Sequence, residues 1–361
     1  MAGACRKPEP GRSGPAEGPD FAGVFTLQAT GLPLVNTGTD LIVTRNGHLG
    51  VIALNRPKAR NALTLEMVDA FSNALEEFRN DDKVTSVVVK STSAGTFCAG
   101  GDVRAICQAR QHGRHDEADT FFGREFALNG CINRFPKPYV ALIDGTCFGG
   151  GMGISVHGRH RIVGEAAVLA MPETAIGYFP DVGASHFLNR LPAATARFLA
   201  LTGYPLSPAD SVYTGLATHF VAGEKQREIE ARMADGEPTE DILRAVEGTP
   251  GESRLARNID VVERCFSTSL VSSIMDALRR EPGAFALEAM ERLERAAPSS
   301  LKVTLELLER TAGMSLAECL AIEFDLARRV TRGRDFAEGI RALLVDKDRS
   351  PRWEEAQPGQ A

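Results

Sequence analysis

Several things are scarce or missing in this 361-residue chain, and each absence removes a class of protein. No apolar run approaches the roughly 20 residues that a membrane-spanning helix needs, so no membrane span is expected. Cysteine occurs seven times, at positions 5, 98, 107, 131, 147, 265 and 319. The count is odd and no two form C-x-x-C, so neither a disulfide framework nor a thiolate zinc site is expected, and a reducing compartment is. Positive charge is not in excess: the formal net charge is −6, which argues against a nucleic-acid partner or a membrane-surface partner. No G-x-G-x-x-G follows a strand and no Walker loop occurs. No apolar stretch follows the basic residues at the start. Arg6, Lys7 and Arg12 are offset there by Glu9, Glu17 and Asp20, so neither a secretory signal nor an ordinary transit peptide is expected. The chain ends PGQA, without the usual peroxisomal tripeptide.

What is present reads as an ordinary globular chain, long enough for one large domain or two smaller ones. Residues 1–40 begin with a proline- and glycine-rich stretch and are expected to form a disordered or extended tail. LIVTRNGHLGVIALNR predicts a hairpin, with strands at Leu41–Thr44 and Leu49–Leu54 about an Asn46-Gly47 turn. In TLEMVDAFSNALEEF, Val68, Phe71, Leu75 and Phe78 recur at helical spacing, with Thr64 as N-cap and Met67 in the first turn. VTSVVVKS, PYVALIDG and AVLAMPE predict strands, the second buried on both faces because its apolar run is nearly unbroken. Strands alternating with helices to about residue 200 give an α/β class. Residues 255–345 read as amphipathic helices. The polar segment GEKQREIEARMADGEPTEDILRAVEGTPGES is expected to include an exposed excursion.

Two glycine turns, CAGGD and FGGGMG, each follow a strand and precede a helix. Glycine in an element interior costs roughly 0.5–1 kcal/mol against alanine, so the triplet Gly149–Gly151 calls for a reason. A tight turn is one. Close approach of a ligand to bare backbone is another, because helix N-termini carry unpaired N–H groups and a positive dipole end. Two such ends facing one another could form an oxyanion hole.

Other motifs do not assemble. HGRH occurs at 112–115 and 157–160, with no third ligand and without the usual i, i+4 spacing, so no metal site is expected; His157 is read as a core residue. GISVHG lacks the second glycine of a nucleophile elbow, which makes Ser155 a weak nucleophile. Cys98, beside the first glycine turn, reads as small core filler.

The ordered set NRPKARNAL, FCAGGD, KPYVALIDGTCFGGGMG and MPETAIGYFPDVGASHFL resembles the crotonase superfamily, the enoyl-CoA hydratase/isomerase group of acyl-CoA enzymes. SVHGRHRI, LALTGYPL, GLATHFV and DFAEGIRALLVDKDRSPRW are similar to its 3-hydroxyisobutyryl-CoA hydrolase branch, extending the resemblance over about 40–355. It implies a crotonase-like α/β spiral of ββα units: a core at 41–222 that binds acyl-CoA, then a helical C-terminal region at 223–355. It places the oxyanion-hole donors on the backbone of Gly101 and Gly150, and the catalytic acids at Glu173 and Asp181. Glu173 would be nucleophile or general base, and Asp181 would orient it or shuttle a proton. Glu125 would be a further substrate-binding acid reaching the acyl hydroxyl, although Gly123-Arg124-Glu125 departs from the branch's two adjacent acids. Ala184 also replaces a usual glycine. Arg56, Lys58 and Arg60 read either as coenzyme A phosphate ligands or as solvated surface charges.

Hydratases of the superfamily carry a glutamate three residues after the middle glycine, where this chain has Gly153. The implied activity is therefore hydrolysis of a short hydroxyacyl-CoA thioester, 3-hydroxyisobutyryl-CoA in valine breakdown. The alternatives are an enoyl-CoA isomerase or a non-catalytic structural subunit of a larger assembly. Coenzyme A would belong to substrate and product, so no separate cofactor is expected, and a homo-oligomer is possible. The resemblance implies the mitochondrial matrix in a eukaryote, the cytoplasm in a bacterium, and no secretion.

Overall fold

The computed structural model describes residues 40–354; the expected N-terminal tail, Asp40 apart, lies outside them. Nine strands are described: β1 Leu41–Asn46, β2 Leu49–Leu54, β3 Ser86–Ser91, β4 Gly95–Cys98, β5 Tyr139–Ile143, β6 Gly145–Phe148, β7 His160–Val163, β8 Val168–Ala170 and β9 His219–Phe220. The first helices are α1 Leu65–Asn80, α2 Val103–Gln111, α3 His115–Asn133, α4 Gly150–Val156, α5 Ala184–Leu188, α6 Ala193–Thr202 and α7 Pro208–Tyr213. They are followed by α8 Gly223–Ala234, α9 Thr239–Val246, α10 Arg254–Arg257, α11 Ile259–Cys265 and α12 Val271–Arg280. The chain ends in α13 Ala284–Arg295, α14 Pro298–Arg310, α15 Leu316–Val330, α16 Arg334–Ile340 and a π-helical turn at Arg341–Val345.

The strands form two sheets, one in the order β1-β2-β3-β5-β7-β9 and one in the order β4-β6-β8. Only β1 and β2 pair antiparallel; every other pair is parallel. Sequence order explains the arrangement. Each of the pairs β3–β4, β5–β6 and β7–β8 gives one strand to the large sheet and the next to the small one. This is the spiral of ββα units. The first hairpin forms as the β-branched alternation predicts, but Asn46 pairs with Leu49, so the two-residue loop is Gly47-His48, with Gly47 at φ +54°. Thr64 Oγ1 caps α1 by accepting the Met67 N–H at 3.3 Å.

The apolar stripe of α1 packs under the sheet with Phe71, Leu75 and Phe78 buried. That main core continues through the C-terminal helices, which contribute Phe266, Phe285, Leu301 and Ile340. The polar segment after residue 222 has its exposed stretch in the loop after α9, but its two helices are packed on the sheet. Helices α8 and α9 bury Ile229, Met233, Ile242, Leu243 and Val246 against Leu49, Val88, Val140 and Ile162 on the other face of the large sheet. A sheet so largely parallel requires cover on both faces, and these two helices supply it.

Candidate active site

The small sheet builds the site. In β4 and β6, Gly95 is in register with Gly145, Thr96 with Thr146 and Cys98 with Cys147, and β8 lies on the other side of β6. Three strand ends therefore lie side by side. After β4 comes Ala99-Gly100-Gly101, after β6 comes Gly149-Gly150, and after β8 comes Met171-Pro172-Glu173. Ligands of parallel α/β sheets gather at such carboxyl ends.

Gly149 turns the chain into α4 at φ +48°, a conformation open to glycine at little cost. A Cβ at that residue would lie 2.6 Å from Glu173 Oε1. A Cβ on Gly150 would lie 3.0 Å from the Gly101 nitrogen and run into Glu125 Oε1. Gly151 serves packing instead: its Cβ would meet the Cys98 carbonyl oxygen at 2.6 Å. Thus two glycines of the triplet face the acids and the third lets α4 sit on β4. Among the described residues, no turn or loop hydrogen bond uses the N–H of Gly101 or Gly150, so both donors are free to polarise a carbonyl oxygen.

The first glycine turn is braced from behind. Leu63 N–H donates to the Gly100 carbonyl, Asp102 N–H to the Leu63 carbonyl, and Ala99 N–H to the Arg60 carbonyl. Asn61, fully buried, donates to Ser91 Oγ at 2.8 Å and to the Phe97 carbonyl at 2.9 Å, and accepts the Arg56 N–H at 2.8 Å. Sequence reading missed this asparagine; its left-handed backbone, φ +56°, is one that asparagine tolerates better than most residues.

A cavity of about 930 Å³ opens over these turns. Gly101, Gly150, Glu125, Glu173, Asp181 and Tyr178 all line it. Glu125 is 2% exposed, Glu173 7% and Asp181 5%. Glu125 Oε1, Glu173 Oε2 and the Tyr178 hydroxyl have no hydrogen-bond partner among the described residues. Burial pushes the Glu125 and Glu173 carboxyls well above their ordinary range, and the Asp181 charge pushes both further. Burial also raises Asp181 to about 8, followed by the negative charge of Glu323; the nearby Tyr178 hydroxyl opposes the rise. Like charges enclosed together at low dielectric do not all ionise at once, so the three acids titrate as a set, one giving up its proton while its neighbours keep theirs.

The three basic residues divide. Lys58 and Arg60 are exposed at the cavity mouth. Arg56 also lines it, but its guanidinium is engaged inside the protein: it donates to the Ala62 carbonyl at 3.0 Å and to Asp102 Oδ2 at 2.9 Å, and pairs with Asp40 at 3.5 Å. That makes Arg56 a brace of the glycine turn rather than a free phosphate donor. The C-terminal region reaches the mouth through Leu343, Leu344 and Lys347, where Arg104 of α2 donates to the Leu344 carbonyl at 2.6 Å.

Gly153 is closed to a carboxylate. A Cβ there would lie 2.7 Å from Val182 Cβ and 2.9 Å from Asn129 Nδ2. Ser155 Oγ bonds back to the carbonyls of Gly151 and Met152, the His157 ring bonds the Val182 carbonyl at 2.7 Å, and the Cys98 thiol donates to the Asn61 carbonyl. All three are structural, as the sequence suggests.

The model of the enoyl-CoA hydratase/isomerase family matches residues 49–361. The chain belongs to that family. Within it, the chain is 40% identical to the mitochondrial 3-hydroxyisobutyryl-CoA hydrolase of Danio rerio over 326 residues, 88% of this chain and 85% of the relative. It is 40% identical to that of Homo sapiens over 327 residues, 88% and 84%. Among solved structures, a carnitinyl-CoA dehydratase from Mycobacterium thermoresistibile superposes with a TM-score of 0.85 at 36% identity, covering 90% of this chain and 94% of that one. An enoyl-CoA hydratase from Rhodobacter sphaeroides gives 0.83 at 36% identity, covering 89% and 94%.

Proposed function

We propose that this family member hydrolyses 3-hydroxyisobutyryl-CoA to the free hydroxy acid and coenzyme A, a step of valine breakdown. The observation that carries the reading is a pairing. Glu173 and Asp181 stand in one cavity with two free backbone donors, while the position of a second hydratase acid is a glycine packed against Val182 and Asn129. Water addition across a double bond calls on two carboxylates in that arrangement; thioester hydrolysis does not. The curated relatives at about 40% identity are named as hydrolases, which favours this over isomerisation or a non-catalytic role.

In this reading the thioester oxygen sits between the N–H groups of Gly101 and Gly150. One such donor is typically worth about 2.7–4 kcal/mol in the transition state. Ionised Glu173 either attacks the carbonyl carbon, giving an anhydride that water then opens, or takes a proton from water as that water attacks. Charge builds on the oxygen, the C–S bond breaks, and Asp181 in its acid form protonates the leaving sulfur. Water later restores the proton. A single turnover in 18O-enriched water separates the general-base course from an anhydride that water opens at the Glu173 carbonyl, because only the latter puts an ordinary Glu173 oxygen into the acid product and 18O into Glu173. Glu125 receives the substrate hydroxyl, and Lys58 and Arg60 meet the coenzyme A phosphates. Coenzyme A arrives with the substrate, so the chemistry calls on no separate cofactor. The curated relatives are named mitochondrial; in a eukaryotic source the matrix is the fitting compartment, and in a bacterial one the cytoplasm.

The direct test is release of free coenzyme A thiol from 3-hydroxyisobutyryl-CoA. Rapid release, lost in Glu173→Gln, is the expected result. A folded protein that releases no thiol from this or related hydroxyacyl thioesters would overturn the reading.

A further inference from the structure

Asp181 lies next to the most unusual backbone of the site. Val182, a β-branched residue, has φ +53°, and Gly183 follows at +82°. A β-branched side chain in the left-handed region is a genuine outlier, and it persists only where its surroundings over-determine it. Two groups do so here. The His157 ring, at the C-cap of α4, bonds the Val182 carbonyl at 2.7 Å. Glu323, on α15 and 0% exposed, accepts the Gly183 N–H at 2.6 Å, the Ser185 N–H at 3.0 Å and the Ser185 hydroxyl at 2.6 Å. A glutamate buried on the apolar stripe of a helix, with all its bonds directed to one turn, is costly unless that turn needs it.

We propose that Glu323 is the positioning residue of Asp181, holding the strained 182–185 turn from α15 so that the Asp181 carboxyl points into the cavity. The inference rests on the hydrolase reading, in which Asp181 delivers a proton to the leaving sulfur. Glu323 reaches the chemistry only through that turn and through its charge, and does not line the cavity.

The charge matters because of what surrounds it. Asp181 is faced by Glu125 from α3, by Glu173 from its own 3-10 turn, by Tyr178, and by Glu323 from α15. Glu323 is faced by Cys319 on its own helix, by Ser185, by Tyr178 and by Asp181. The flanking ring His157, at the C-cap of α4, is kept neutral near pH 7 because burial, aided by the Arg161 charge, lowers it to about 4; His186, on α5, bonds the Met314 carbonyl. The charged groups that act on Asp181 and on its neighbours Glu125 and Glu173 are acids. A negative Glu323 favours the acid form of Asp181.

The test compares Glu323→Gln with Ser185→Ala, which loses one bond to the turn and keeps the charge. Glu323→Gln is expected to lower kcat tenfold or more with KM held within about twofold. The limb of the pH profile on which Asp181 loses its proton should move down by about one pH unit. In Ser185→Ala that limb should stay in place. Titration of the 13C-labelled Asp181 carboxyl by NMR, assigned with Asp181→Asn, reads the same shift without turnover. If the wild-type protein cleaves no hydroxyacyl thioester, the hydrolase reading falls while this titration still decides the coupling. An unchanged Asp181 titration in folded Glu323→Gln, or an equal shift in Ser185→Ala, overturns the proposal. Should Glu323→Gln not fold, Glu323→Asp decides: withdrawing the carboxylate by one methylene must lower kcat with KM kept, and an unchanged kcat overturns it.

Discussion

At the scale of single residues, the proposed hydrolysis gives the glycines as large a part as the acids. Gly150→Ala puts a methyl group between the Gly101 nitrogen and the Glu125 carboxyl. A fall in kcat of about 10²–10³ is expected, the value of one lost donor; a rate within tenfold of wild type would remove Gly150 from the hole. Glu125→Ala should narrow the preference for hydroxyacyl over plain acyl thioesters, because a site built to bond a hydroxyl rejects analogues that leave its polar groups unpaired. Relative kcat/KM for 3-hydroxyisobutyryl-CoA and isobutyryl-CoA measures this, and an unchanged ratio would end that role. Gly101, Gly150, Glu173 and Asp181 were legible in the sequence because each sits inside a short motif. Glu323 was not: its partners lie about 140 residues earlier. The local clue was an acid among the buried positions Cys319, Leu320 and Ala327 of α15.

At the scale of elements, the hairpin, the capped α1 and the parallel strands follow from periodicity and capping alone. A helical region was expected from residue 223 on, but the burial of α8 and α9 against the sheet escaped for a physical reason. Their composition is polar, but α9 buries Thr239, Ile242, Leu243 and Val246 at i, i+3, i+4 and i+7, and α8 buries Ile229 and Met233 one turn apart. One apolar stripe is enough when the surface it covers is a sheet. Ile242→Ala, at a position with no exposure, should therefore cost about 2–5 kcal/mol in a denaturant titration. A loss under about 0.5 kcal/mol, the range of ordinary surface changes, would mean that α9 does not cover the sheet. The pairing of β4, β6 and β8 in a sheet of their own was implied only by the family resemblance. No local pattern tells successive strands to alternate between two sheets.

At the scale of the whole molecule, four buried acids without cationic partners set the pH response. Burial holds Glu323 at about 7 and Asp181 at about 8, and Glu125 and Glu173 are raised as well. Their ordinary values are 4.5 for glutamate and 3.8 for aspartate. Between those values and the raised ones, the unfolded chain has released protons that the folded protein keeps. Stability contributed by these groups is therefore full below about pH 4 and declines as pH rises toward 7 and 8. Above about pH 6.5, where the buried histidines His157, His160 and His219 are neutral folded or unfolded, melting temperature should fall toward pH 8, and Asp181→Asn should flatten that fall and melt higher than wild type at pH 8 while losing activity. A melting temperature that rises over this range, or an Asp181→Asn protein no more stable at pH 8, would contradict the account. The same architecture has a consequence in time. Strands β4, β6 and β8 leave the ribosome well before Glu323 and the Leu343–Lys347 stretch do. A nascent chain can build its spiral long before it can lock the Val182 turn. A product that stops before α15 thus carries the glycine cradle without the carboxylate that holds the Val182 turn.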